Sequence, residues 1–140
     1  MAKDDLYYSN AKEALQKDGW TITDDPYFVR LHNINFKMDL GAERTIFNVE
    51  NEKEKIAVEV KSFLGRSFMN NFHNAVGQYR NYSTVLSKVE KNRKLWLAVP
   101  DKIYKANFMN PLITEMVLVN GMSIVTFDEN INRIVQWIPR

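Results

Sequence analysis

Glu59 and Lys61 stand two residues apart in the run Lys55-Ile56-Ala57-Val58-Glu59-Val60-Lys61-Ser62-Phe63. There Ile56, Val58 and Val60 alternate with Ala57, Glu59 and Lys61, and a period of two is the mark of a strand. The acid and the amine therefore leave one face, with Cα atoms roughly 6 to 7 Å apart. Asp39 closes an earlier strand-like run, Asn35 to Leu40. If the two strands are neighbours, its carboxylate faces that of Glu59. Two carboxylates so held repel, and the arrangement becomes favourable once a divalent cation sits between them with water or phosphate oxygens completing its shell. Mg²⁺ or Mn²⁺ suits such an oxygen-only set. That ion withdraws charge from a phosphodiester, helps form hydroxide and steadies the leaving oxygen. Lys61 then either stabilises the pentacovalent phosphate as an ammonium or positions and deprotonates the attacking water; flanking negative charge favours the ammonium role.

The same residues also fit an ordinary half-exposed strand, with Asp39 capping a turn, and Asp followed by Glu-x-Lys recurs by chance. Other candidates carry less. Glu43 either reaches the metal rim or pairs with a surface cation. His32 and His73 have no partners at ligand spacing, no Gly-rich phosphate loop or Ser/His/Asp arrangement is present, and zero cysteines exclude disulfides, thiolate nucleophiles and zinc fingers.

The elements that must position these residues follow from periodicity. Asp4 and Asp5 can cap a first helix whose Tyr7, Ala11, Ala14 and Leu15 share one side, with Gly19 as its stop. Glu13 projects away from that side and is left out of the site. Trp20 and Ile22, then Tyr27 to Arg30, read as short strands around the Asp25-Pro26 turn. Asn35–Leu40 and Thr45–Val49 read as strands broken at Gly41, followed by a charged turn from Asn51 to Glu54. After the Glu59 strand, Phe68, Phe72, Ala75, Val76, Tyr79 and Leu86 give a long amphipathic helix packed on the sheet. Leu95 to Val99 has no alternation and reads as a central strand buried on both faces. Helical character follows from about Ile103 to Val119, and Ser123–Phe127 with Ile131–Trp137 closes the chain as a hairpin. The order predicts one mixed α/β domain over residues 1–140.

With 45% hydrophobic residues the chain can bury one core. It has no apolar run of membrane-spanning length and no signal-peptide pattern, so a cytoplasmic protein without membrane association is expected. A formal charge of +2 is too mild to announce nucleic-acid binding. Its densest basic stretch, Lys88, Lys91, Arg93 and Lys94, is either a phosphate contact or a solvated helix end, and the helix end is favoured.

Several ordered blocks extend this reading: Lys17-Asp18-Gly19-Trp20-Thr21-Ile22-Thr23, Asp39-Leu40-Gly41-Ala42-Glu43, the Lys55–Phe63 strand, Gly77-Gln78-Tyr79 and Leu97-Ala98-Val99-Pro100. Together they resemble the XisH family of cyanobacterial fdxN-element excision controlling factors, which is similar in fold to PD-(D/E)xK nucleases. The resemblance implies a restriction-endonuclease-like mixed sheet flanked by helices. It also implies action on DNA in programmed excision of an element, alongside a site-specific recombinase and an XisI-type partner. Carried onto this chain, it makes Asp39 and Glu59 the metal acids, the main-chain carbonyl of Val60 a further ligand, and Lys61 the lysine of the pattern. Gln78 and Tyr82 resemble the Gln-x-x-x-Tyr helix pair of RecB-like nucleases, or else are an amide at the core margin beside a packed tyrosine. Met38 stands where many such nucleases have proline, and Tyr8 and Asp24 stand where the family often has histidine. Two routes stay open: a metal-dependent endonuclease, or an inactive accessory factor that binds DNA or a partner. A homodimer is expected by analogy with nucleases that cut both strands.

Overall fold

The computed structural model describes residues 5–46 and 52–140. Helix α1 (Tyr8–Lys17) is followed by strands β1 (Thr21–Asp24), β2 (Tyr27–Leu31), β3 (Ile34–Met38), β4 (Leu40–Thr45) and β5 (Lys53–Val60). Then come α2 (Phe68–Val89), β6 (Arg93–Pro100), a short α3 (Asp101–Ile103) running into a π-helical turn, α4 (Pro111–Val119), β7 (Ile124–Asp128) and β8 (Arg133–Ile138). Six strands form one mixed sheet in the order β1-β4-β5-β6-β7-β8, while β2 and β3 pair as a separate hairpin. Strands β5, β6 and β7 are parallel, and the flanking pairs are antiparallel. The result is an α/β sheet flanked by helices, consistent with a restriction-endonuclease-like fold.

The missing alternation of β6 has a direct cause. Leu95, Leu97 and Val99 enter one core with α2, α4 and the hairpin, while Trp96 and Ala98 enter a second core with α1. Likewise Ile56, Val58 and Val60 of β5 face the α1 core, and Ala57 faces the α2 core. The face that carries Ala57 also carries Glu59 and, one residue beyond the strand, Lys61.

Four expectations are corrected. Gly41 does not break a strand; it lies inside β4, paired with Ala57, and the chain turns at Asp39 instead. A Cβ at Gly41 would meet the Asp24 side chain at 3.0–3.1 Å and the Arg93 guanidinium at 3.3 Å, so this glycine permits close approach. The Ile103–Val119 helix is interrupted, because Asn110 caps a new helix with Pro111 at its first position. Asp5 does not cap α1, whose N-cap is Tyr7 without a side-chain bond; its carboxylate accepts from Tyr7 N–H and ties the helix start to Ser62. Arg93 is neither part of a solvated helix end, the favoured reading, nor a surface phosphate contact, since its side chain is 4% exposed and ion-paired to Glu90 and Glu43. Asp4, Val49 and Asn51, assigned above to a cap, a strand and a turn, lie outside the described residues.

Candidate metal-dependent hydrolytic site

Asp39 occupies the one-residue corner between β3 and β4, and β4 runs antiparallel to β5 with Leu40 opposite Val58. That register brings Asp39 level with Glu59 and Val60. The main-chain N–H of Asp39 donates to Glu59 Oε1 at 2.9 Å, and the main-chain N–H of Val60 donates to Asp39 Oδ2 at 2.8 Å. Each acid is thus held by the backbone of the other's segment. Lys61 Nζ lies 3.6 Å from Glu59 Oε2. The Tyr8 hydroxyl donates to the Asp39 carbonyl at 3.2 Å and steadies the corner from α1.

Glu59 is buried, and burial is the larger reason its carboxyl is pushed up to about 8; the charge of Asp39 adds to this and Lys61 opposes it. A site that penalises its own negative charge is one that a cation relieves. The donor set fits a hard divalent ion: one carboxylate from the β3–β4 corner and one from β5, with the Val60 carbonyl on the same segment as Glu59. No group of three or more His, Cys, Asp or Glu side chains with metal-holding geometry occurs among the described residues. That composition suits Mg²⁺ or Mn²⁺, which keep several water or phosphate oxygens, better than an all-protein cage.

The other sequence candidates separate cleanly. Tyr82 lies on the sheet side of α2, where its hydroxyl donates to the Lys37 carbonyl at 2.9 Å and accepts from Gln78 Nε2 at 3.1 Å. Burial first, then the charge of Glu59, raises the Tyr82 phenol above its usual range, with Asp39 a smaller contributor. Gln78 is thus tied to Tyr82, whose hydroxyl is anchored on the Lys37 carbonyl two residues before Asp39. Glu43 pairs with Lys53 at 3.7 Å and Arg93 at 3.8 Å, so it serves the cation pair and not the metal rim. His32 and His73 are both exposed, on the hairpin turn and on α2.

Two features escaped sequence reasoning. The Asp5 carboxylate accepts from both the N–H and the hydroxyl of Ser62, at 2.8 and 2.9 Å, fixing the residue after Lys61. Phe63 then takes a left-handed backbone, φ 55°, which a bulky residue adopts only when packing imposes it. Its ring sits 5.3 Å from those of both Phe68 and Phe108. Beside this turn lies a cavity of about 230 Å³ whose walls include Lys61, Ser62, Phe63, Asn71 and Asn74.

Among known proteins, the family model described as XisH protein matches residues 1–135. A crystal structure of an XisH family protein from Nostoc punctiforme is similar at 41% identity, with a TM-score of 0.86 over 96% of this chain and 99% of that one. A crystal structure of an fdxN element excision controlling factor protein from Anabaena variabilis is also 41% identical, with a TM-score of 0.85 over 94% and 97%. No curated protein matches the chain.

Proposed function

The chain belongs to the XisH family, and from that premise we propose that it is a DNA-acting factor in programmed excision of a DNA element, with a Mg²⁺-dependent PD-(D/E)xK-type nuclease site. The observation that supports this most is the reciprocal bonding of Asp39 and Glu59 beside the Lys61 ammonium. In this reading Asp39, Glu59 and the Val60 carbonyl hold Mg²⁺ or Mn²⁺. When bound, the ion supplies charge withdrawal from the phosphodiester and a more acidic water. Hydrolysis forms one P–O bond to the water oxygen and breaks one ester P–O bond, with one water proton ending on the released ester oxygen. Lys61 carries its positive charge beside the developing phosphorane, and Tyr82 and Gln78 fix the wall of α2 against the site. An XisI-type protein and a site-specific recombinase are the partners the family suggests.

A second reading has its own support. The Anabaena variabilis relative is named an excision controlling factor, which suits a protein that keeps the fold and metal residues to bind DNA or a partner without cutting it. A Mn²⁺ and Mg²⁺ titration with supercoiled plasmid and branched DNA separates the two, with and without an XisI-type protein. Nicking by the wild type that is lost in Lys61→Ala supports the nuclease. Retention of DNA with no cleavage under any condition overturns it in favour of the accessory role.

A further inference from the structure

We infer that the outward face of the β2–β3 hairpin is a nucleic-acid contact surface that grips an unpaired stretch of the strand beside the Asp39–Glu59 site. The inference rests on DNA being the substrate class, and it names where and in what form the DNA is held.

The hairpin divides its residues sharply. Tyr27, Val29 and Met38 point into the α2 core. The alternate cross-strand pairs, Phe28 with Lys37 and Arg30 with Asn35, point outward. Phe28 is 69% exposed, so its ring contributes nothing to that core. Arg30 donates from Nη1 to Asn35 Oδ1 at 2.8 Å, which orients the guanidinium and leaves it further N–H donors. An exposed aromatic ring directly opposite a lysine and one pair from an oriented arginine is a stacking platform with two phosphate contacts.

Charge supports the same occupant. Residues 27–38 contain no Asp or Glu, and neither do residues 60–89, although the chain holds 17 acids in 140 residues. Those two segments carry six lysines and arginines, two in the hairpin and four in the loop and helix. A polyanion meets no carboxylate on either until it reaches Asp39 and Glu59. Paired with itself across a two-fold axis, this cationic face would instead meet like charge. The two surfaces adjoin, because the Lys37 carbonyl accepts from the Tyr82 hydroxyl and β3 passes from Met38 straight into Asp39.

The ring specifies the form of the DNA. Phe28 has no hydrogen-bonding group to read a base edge, and the base faces it can stack on are hidden within a duplex. Frayed, single-stranded or branched DNA exposes them. The hairpin is thus a selector for opened strands, and its cations set the salt dependence.

The test is fluorescence anisotropy in EDTA, using a labelled single-stranded oligonucleotide and a duplex of equal length, with Phe28→Ala and the doubly reversed Arg30→Glu/Lys37→Glu. All three substitutions are at exposed positions, and circular dichroism melts should match the wild type. Phe28→Ala should weaken single-strand binding about fivefold or more while leaving the duplex within about twofold. Charge reversal should weaken both more than about tenfold and flatten the salt dependence. A 2-aminopurine base in the oligonucleotide should be quenched by the wild type and not by Phe28→Ala. Absence of wild-type binding, unchanged binding by both variants, or a change confined to self-association in sedimentation overturns the inference. Mn²⁺ calorimetry and plasmid nicking on the same proteins keep the two readings apart. Strand binding without cleavage defeats only the nuclease site, and cleavage with variants that bind normally defeats only the hairpin.

Discussion

Asp39 and Glu59 hold each other across two strands: the Asp39 N–H reaches Glu59 Oε1 at 2.9 Å, and the N–H following Glu59 reaches Asp39 Oδ2 at 2.8 Å. One oxygen of each carboxylate is thereby committed to backbone, which fixes where the remaining oxygens face. The cost is electrostatic, because two acids are drawn together where water is scarce. Removing either acid should therefore have opposite effects on stability and on ion binding.

The first consequence is a slope in stability with pH. Burial, and then the Asp39 charge, raise the Glu59 carboxyl to about 8 in the folded chain, against 4.5 unperturbed. With the folded value above the unfolded one, the favourable contribution is intact below about 4.5 and is lost as pH rises toward 8. Metal-free protein should lose melting temperature across that window, and Glu59→Gln should flatten the slope. An unchanged slope in Glu59→Gln would remove Glu59 as its source.

The second concerns the ion itself. Near pH 7 a Glu59 that still holds its proton must release it when a divalent cation binds. Mn²⁺ calorimetry in buffers of different ionisation enthalpy should therefore report close to one proton released per ion. Asp39→Asn and Glu59→Gln should each weaken Mn²⁺ binding by more than about tenfold, since in the proposed site each supplies one of two anionic ligands. Binding that persists in both variants would place the ion elsewhere.

How far the residues alone foretell this site depends on range. The alternation in Ile56 to Lys61 is a property of one strand, and it correctly set Glu59 and Lys61 on a common face. Asp39 needed a neighbour relation between segments that periodicity does not carry; the strand reading offered it on that condition, the family blocks strengthened it, and the β4–β5 register supplies the contact. Gly41 misled because a glycine that relieves a turn and one that admits Asp24 and Arg93 against the backbone look identical in a string of letters. Arg93 misled for a related reason. Its neighbours Lys91 and Lys94 suggested a solvated cluster, whereas its partners Tyr27, Glu43 and Ile56 come from distant segments. The tie from Asp5 to Ser62 spans 57 residues and leaves no local trace.

A third prediction tests the α2 wall. In Tyr82→Phe the ring remains and the hydroxyl goes, so the bond to the Lys37 carbonyl and the partner of Gln78 are lost together. Denaturant titration should show a loss of about 1 kcal/mol. If Tyr82 acts by holding the hairpin beside the acids, single-strand affinity should fall while Mn²⁺ affinity stays within about twofold. Equal loss of both would mean that Tyr82 supports the acids directly.

The fourth prediction concerns the ion network at the end of the sheet where β6 begins. Arg93, with its side chain 4% exposed, donates to Glu90 at 2.8 Å and to the Ile56 carbonyl at 2.8 Å, and stacks 4.6 Å from the Tyr27 ring. The Tyr27 hydroxyl donates to Glu90 at 2.5 Å. Hydrogen bonding from Arg93, more than any other influence, pulls the Glu90 carboxyl down to about 2, while burial first and then the bond to Glu90 push Tyr27 up to about 12. A depressed carboxyl stabilises the fold above its unfolded value of 4.5, and that contribution is lost as pH falls through about 2. Because Glu90 remains partly solvated, Glu90→Gln should cost on the order of 1–2 kcal/mol at pH 7. Its denaturation curve should converge with the wild type as pH drops from about 4.5 toward 2. Arg93→Met leaves Glu90, Glu43 and the Ile56 carbonyl without their buried donor and should cost more, about 3–5 kcal/mol. Equal stability of Glu90→Gln and wild type at pH 7 would mean that Arg93 is held by Glu43, Ile56 and the Tyr27 ring alone.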